Sequence, residues 1–169
     1  FVGDIASTSY SPIKKLIAFD VLSKRLYLMN EDGTNLRMIT EQAGGPRFSP
    51  DGQYLQYTSN YKVWLYDLNT GEHKVLIEDA MGGPWSPDGK KIAFSRKEKD
   101  RPWQNEVYIY NLEANQEVYP EGLNKERIYM FEDWSPDGGM LATPSGIYSL
   151  KGEYLKTPNK PYDARWSPD

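Results

Sequence analysis

Cysteine is absent from the 169 residues, and disulfides and thiolate metal sites are absent with it. Either a reducing or an oxidising compartment suits such a chain. Histidine occurs once, at His73. Zinc and copper sites draw on several imidazoles or thiolates, so no metal and no other cofactor is expected. No apolar run is long enough for a membrane-crossing helix, and no membrane span is expected. Basic charge is not in excess: 20 Lys and Arg stand against 24 Asp and Glu, a net charge of −4, with the signs mixed along the chain. Surfaces that read nucleic acid carry a basic patch, so nucleic acid is not an expected partner. Helical periodicity is missing too. Neither a Gly-x-Ser-x-Gly elbow nor a glycine-rich phosphate loop is present, and no catalytic constellation is legible in this segment.

What the chain has in quantity is aromatic residues, 14% of the total, with 13 Tyr and 5 Trp, together with 12 Pro and 14 Gly. They are organised around one turn. Ser49-Pro50-Asp51-Gly52 returns as Ser86-Pro87-Asp88-Gly89 and as Ser135-Pro136-Asp137-Gly138. It begins again at Ser167-Pro168-Asp169, and a degenerate copy, Ser11-Pro12-Ile13-Lys14, comes first. Proline presets φ, Asp suits the third turn position, and glycine takes a positive φ without steric cost. The repeated aspartates Asp51, Asp88, Asp137 and Asp169 are therefore read as turn residues, with Gly52, Gly89 and Gly138 beside them. A calcium site needs several oxygens converging in one loop, which these do not supply.

An aromatic residue precedes every turn: Tyr10, Phe48, Trp85, Trp134 and Trp166. These are expected between blades. After each turn comes a short strand. The third strand of each unit follows, in which an aliphatic residue precedes an aromatic one: Leu26-Tyr27, Val63-Trp64, Val107-Tyr108 and Ile147-Tyr148. Near-continuous apolar strands of this kind suit sheets covered on both faces. Hairpin turns follow at Asp32-Gly33, Asn69-Thr70-Gly71, Ala114-Asn115 and Lys151-Gly152, then a polar edge strand. Gly44-Gly45-Pro46 and Gly82-Gly83-Pro84 hold the same place in two units and read as turns leading into a blade. His73 falls on a predicted edge strand and reads as a solvated side chain.

Units of about 40 residues with several short strands each predict an all-β fold, a β-propeller of four blades with four antiparallel strands apiece, plus the first strand of a fifth. The expected blades are residues 4–40, 44–78, 82–120 and 128–158, with 162–169 opening the next. Because the chain opens on Phe1, shows no signal peptide and stops inside a turn motif, a segment of a longer protein and a larger ring is expected. Open ends of such an array expose sheet face, so self-association is a further expectation.

The motif aromatic-Ser-Pro-Asp-Gly-x-x-aliphatic-Ala-aromatic, best developed from Trp85 to Phe94, resembles the TolB-type propeller repeat, a WD40-like unit, over nearly the whole chain. That resemblance implies four-stranded blades and a periplasmic or otherwise extracytoplasmic location. It leaves function open, because unrelated activities share such propellers. The third unit is the longest. Its insertion, residues 96–105, carries Arg96, Lys97, Lys99, Arg101 and Trp103, and the long connection 120–127 ends on Arg127. Both are expected on the face opposite the Ser-Pro-Asp-Gly turns. Loops on a rigid scaffold carry binding, and Trp and Arg dominate interface anchors. The expected function is a non-enzymatic scaffold that binds a protein partner through these residues. The alternatives, by resemblance, are a substrate-gating propeller of a prolyl-oligopeptidase-type serine peptidase with its catalytic domain elsewhere, and a carbohydrate-binding or oligogalacturonate-lyase-like propeller.

Overall fold

The computed structural model describes residues 3–97, 105–119, 133–143, 146–150, 154–156 and 166. They form four antiparallel sheets of four strands, each in sequence order. The first sheet is β1 (Ile5–Ser11), β2 (Leu16–Val21), β3 (Arg25–Asn30) and β4 (Arg37–Glu41). The second is β5 (Ala43–Phe48), β6 (Tyr54–Ser59), β7 (Lys62–Asp67) and β8 (His73–Ile77). The third is β9 (Met81–Trp85), β10 (Lys91–Lys97), β11 (Asn105–Asn111) and β12 (Gln116–Val118). The fourth is β13 (Asp133–Trp134), β14 (Met140–Thr143), β15 (Gly146–Ser149) and β16 (Tyr154–Lys156). No helix among the described residues is long and apolar enough to cross a membrane. The chain divides into two compact units, Phe1–Gly82 and Gly83–Asp169.

Each Ser-Pro-Asp-Gly turn is a closed hydrogen-bond circuit. Ser86 Oγ donates to Asp88 Oδ1 at 2.5 Å and accepts from Lys91 N at 2.9 Å. Asp88 Oδ1 also accepts from Lys90 N at 3.0 Å, while Gly89 N closes the turn on Ser86 O at 2.9 Å. The same bonds recur around Ser49 and Asp51, and around Ser135 and Asp137. Gly52, Gly89 and Gly138 take φ of 68°, 70° and 70°, the left-handed seat that glycine occupies without strain. In the degenerate first turn the positive φ moves to Lys15, at 53°.

The circuit makes stability sensitive to acid. Hydrogen bonds from Ser86 Oγ and Ser135 Oγ hold the Asp88 and Asp137 carboxyls below their ordinary value. A carboxylate with a depressed folded pKa stabilises fully above its unfolded value, about 3.9, and that stability is lost as pH falls through the lower folded value. Melting temperature is therefore expected to drop as pH is taken from 5 to below about 4. Asp88→Asn with Asp137→Asn flattens that slope in a scanning fluorimetry series; an unchanged slope would remove these two groups from the acid response.

In the first unit Ala18, Leu26 and Leu28 of the first sheet bury against Ala43, Leu55 and Tyr57 of the second, with Phe48, Trp64 and Tyr66 at the margin. In the second unit Ala93, Val107 and Ile109 of the third sheet meet Trp134, Leu141 and Tyr148 of the fourth. Both joints set an aliphatic group that includes an alanine against a group that mixes aliphatic side chains with rings. Each fully buried Leu or Ile contributes about 1.5–3 kcal/mol. Within three of the sheets a cross-strand ring pair repeats: Phe19–Tyr27 at 5.5 Å, Tyr57–Trp64 at 6.2 Å and Phe94–Tyr108 at 5.4 Å between centroids.

The fourth sheet corrects the sequence alignment of the third strands. Its hairpin closes at Thr143↔Gly146, so the rung that holds a ring pair elsewhere carries Thr opposite Gly. Tyr148 stands opposite Leu141, as Tyr66 stands opposite Leu55, and so matches Tyr66 rather than Trp64. The Gly-Gly-Pro pairs are also corrected. They lie inside β5 and β9 rather than in turns. A Cβ on Gly44 would lie 3.1 Å from Ser23 Cβ, and one on Gly82 would collide with the Gln56 amide. Gly44 and Gly82 each come this close to preceding residues of their own unit. Polar side chains at the end of each preceding second strand then hold them: Gly45 N donates to the buried Asp20 at 3.3 Å, and Gly82 N to Thr58 Oγ1 at 3.1 Å. Ser7 Oγ and Ser23 N complete the shell of Asp20.

Candidate functional site

Strands β10 and β11 are seven residues each, against six for β2, β3, β6 and β7. The extra length lies at the end where the third unit carries its insertion. The rungs Phe94↔Tyr108, Ser95↔Val107, Arg96↔Glu106 and Lys97↔Asn105 carry the hairpin outward. Side chains alternate along a strand, so Phe94 and Arg96 share one face with Glu106 and Tyr108. The Arg96 guanidinium lies 5.3 Å from the centroids of both the Phe94 and the Tyr108 ring. It donates two hydrogen bonds of 2.9 Å to the Glu117 carboxylate on β12. A planar fork meets a carboxylate best in this bidentate way, and the two rings pack against the guanidinium.

A second chain of contacts runs beside it. Tyr108 Oη donates to Glu106 Oε2 at 2.9 Å, and Tyr119 Oη to Glu106 Oε1 at 3.4 Å. The Tyr119 ring meets Tyr108 edge-on at 5.3 Å. Burial, then the hydrogen bond to Glu106 and its charge, push the Tyr108 phenol up to about 12, against the opposing pull of Arg96. Tyr108 therefore exchanges no proton near neutrality. What the arrangement does is mechanical and electrostatic. It staples the short edge strand β12 to the hairpin and fixes the roots of the insertion and of the connection after Tyr119.

The predicted binding residues are distributed as follows. Arg96 is engaged with Glu117, and Lys97 is exposed at the last rung. Lys99, Arg101, Trp103 and Arg127 lie outside the described residues. The insertion is shorter than the sequence indicates, because Arg96, Lys97 and Asn105 belong to strands. Glu106, Tyr108, Glu117 and Tyr119 were not singled out from sequence. The signal available was the i, i+2 spacing of charged and aromatic residues on both arms. His73 is exposed on the edge strand β8, and it also has a partner that the sequence reading did not include. Its Nδ1 is 2.7 Å from Tyr57 Oη, whose phenol burial pushes up to about 12, and the Tyr66 ring lies 4.9 Å away.

Of the aromatic residues before the turns, Trp134 is buried and donates Nε1 to Pro84 O at 3.0 Å, and Phe48 lies against the core of the first unit. Trp85 is buried as well. Trp166 is half-buried, with its backbone N 3.4 Å from Asp133 Oδ2. Tyr10 is 52% exposed, and its hydroxyl donates to Glu31 at 2.7 Å. The rest of the fifth-blade strand lies outside the described residues. Among the described residues no three His, Cys, Asp or Glu side chains converge as a metal site would require.

No protein-family model matches the chain. Among solved structures it is similar to a protein assigned as TolB from Agrobacterium tumefaciens, with a TM-score of 0.74 and 17% identity over 92% of this chain. It is also similar to the β-propeller domain of the Trilobed protease from Pyrococcus furiosus, described as having an open velcro topology, with a TM-score of 0.54 and 18% identity over 68% of this chain. The chain spans 63% of the first structure's length and 41% of the second's.

Proposed function

We propose that this chain, which folds as a segment of a β-propeller, is a non-catalytic scaffold that captures a protein partner at the extended β10–β11 hairpin. The observation that carries the reading is the brace of Arg96, Glu117, Glu106, Tyr108 and Tyr119 on the strands that flank the insertion in the sequence. A charged hairpin held by two linked hydrogen-bond chains is a preorganised mount for contacts made by the residues it carries. Arg96 serves as a positioning residue there, and Arg101 and Trp103 are the proposed anchors, with Lys97, Lys99 and Arg127 as flanking cations. The likeness to a TolB-assigned fold supports an extracytoplasmic partner. The exposed Tyr10 supports self-association through the outer face of the first sheet as a secondary property.

Cross-linking of the chain in an extracytoplasmic extract, read by mass spectrometry, tests the assignment. Cross-links are expected to concentrate on residues 96–105 and 120–127. Arg101→Ala with Trp103→Ala is expected to lower capture at least about tenfold with the melting temperature unchanged. Undiminished capture by the double variant would sink the site.

The likeness to a protease propeller domain supports a second reading, in which the chain gates substrate for a peptidase domain. It is separated from the first by the partner recovered: unstructured peptides of mixed sequence under the gating reading, one folded protein under the scaffold reading.

A further inference from the structure

In the first unit, the face of the second sheet that packs on the first gathers four rings around one hydrogen bond. Tyr57 on β6 stands opposite Trp64 on β7, and Tyr66 on β7 stands opposite His73 on the edge strand β8. The Tyr57 ring stacks on Trp64 at 6.2 Å between centroids and 3° between planes. The His73 ring meets Tyr57 edge-on at 6.0 Å and lies 4.9 Å from Tyr66. Tyr57 is 3% exposed, Trp64 and Tyr66 are half-buried, and His73 is exposed.

Burial decides which group gives the proton in that hydrogen bond. The Tyr57 phenol stays protonated near neutrality, because burial pushes it up to about 12. A buried O–H needs an acceptor. The one it has among the described residues is His73 Nδ1, at 2.7 Å. Tyr57 Oη therefore donates, Nδ1 accepts, and the neutral imidazole carries its own proton on Nε2.

A phenol with a base on its oxygen is suited to losing an electron. Oxidation by one electron turns a phenol into a strong acid, so the electron leaves readily where a base within about 2.6–3.2 Å takes the proton. Trp64 has no such base: its Nε1 donates to Ser59 O at 3.3 Å, and a backbone carbonyl does not take up a proton. Other phenols donate to carboxylates, Tyr10 to Glu31 at 2.7 Å and Tyr108 and Tyr119 to Glu106. A carboxylate is a weaker base than an imidazole by about two pK units. The hydrogen bond from Tyr10 lowers Glu31 further. No thiol competes, since the chain has no cysteine.

We propose that Tyr57 is a redox-active residue, the site at which this chain gives one electron to a diffusible oxygen-centred radical, with His73 accepting the phenol proton. The electron passes to the radical, which becomes its anion. The proton passes from Tyr57 Oη to His73 Nδ1, leaving a neutral phenoxyl beside an imidazolium. The exposed imidazolium then releases its Nε2 proton to water. Where the radical meets the half-buried Trp64 first, the stacked pair passes the hole inward, because Tyr57 has a base for its proton and Trp64 has none. The site shares no residue with the β10–β11 hairpin.

Flash photolysis of tris(bipyridine)ruthenium(II), with a cobalt(III) ammine as quencher, supplies a one-electron oxidant to the intact chain at about pH 8, where imidazole is neutral. Transient absorption follows the phenoxyl, and freeze-quench electron paramagnetic resonance identifies the radical. Tyr57→Phe is expected to remove most of the early phenoxyl signal. His73→Gln keeps a hydrogen-bond acceptor beside the phenol but no base, and is expected to slow phenoxyl formation at least about tenfold with circular dichroism unchanged. Because His73 is exposed, that variant tests the site even where Tyr57→Phe loosens the joint. Glu31→Gln, at Tyr10, is expected to leave yield and rate as they are. An early phenoxyl signal as large in Tyr57→Phe as in the parent chain overturns the site. An unchanged rate in His73→Gln overturns proton transfer to His73, and a tryptophan radical that outlasts the phenoxyl overturns the direction of hole transfer.

Discussion

Trp134→Ala is expected to lower the stability of the unit Gly83–Asp169 by about 3–5 kcal/mol, the range for truncating a buried tryptophan. Trp134 is 3% exposed and lies among Ala93, Val107, Ile109, Leu141 and Tyr148, so it touches both sheets of its unit. Its indole also donates to Pro84 O at 3.0 Å, which fixes the ring edge against β9. Truncation removes the ring from the joint and leaves a carbonyl without its donor. Trp134→Phe separates the two contributions, because it keeps most of the apolar bulk and loses the N–H. A loss of about 1–2 kcal/mol is expected for it. Urea denaturation followed by far-UV circular dichroism measures both. If Trp134→Ala costs less than about 1 kcal/mol, the indole is not what joins these sheets.

Ser86→Ala is expected to cost about 2–3 kcal/mol although it removes one oxygen. That oxygen is buried and both donates and accepts: it gives its proton to Asp88 and takes one from Lys91 N. Alanine leaves the backbone donor unmet and one Asp88 lone pair empty. Asp88→Asn keeps an acceptor in place and is expected to cost less than half as much. Ser11→Ala provides the internal comparison. There Ser11 Oγ accepts from Lys14 N, three residues on, at 3.3 Å, where Ser86 Oγ accepts from Lys91 N, five residues on, and no aspartate stands at the third turn position. A loss there equal to that of Ser86→Ala would show that the circuit adds nothing beyond the serine.

The recognition of the repeat rests on these same circuits, which is why so much of the fold was legible. Ser, Pro, Asp and Gly each have a local reason to occupy their seats, and a local reason can be read from neighbours in sequence. The aromatic before each turn was legible for the same reason, since it sits one residue from a fixed corner. The candidate site was less so. Arg96 was singled out as a contact residue, but its partner Glu117 lies two strands away, and only the register of β10, β11 and β12 brings the two together. His73 went the same way: Tyr57 is reached across β7, and no spacing in the sequence announces it.

By itself the sequence determined the all-β class, the four-stranded unit, the position of the Ser-Pro-Asp-Gly turns and the residues that close them. These depend on backbone dihedrals and on hydrogen bonds spanning a few residues, which side-chain identity dictates directly. Tertiary structure alone decided that Gly44 and Gly82 are contact residues inside strands and that Arg96 is spent on a brace. Each of those depends on how closely one strand approaches another or on which rung a residue occupies, and a shift of a single rung turns a side chain to the opposite face.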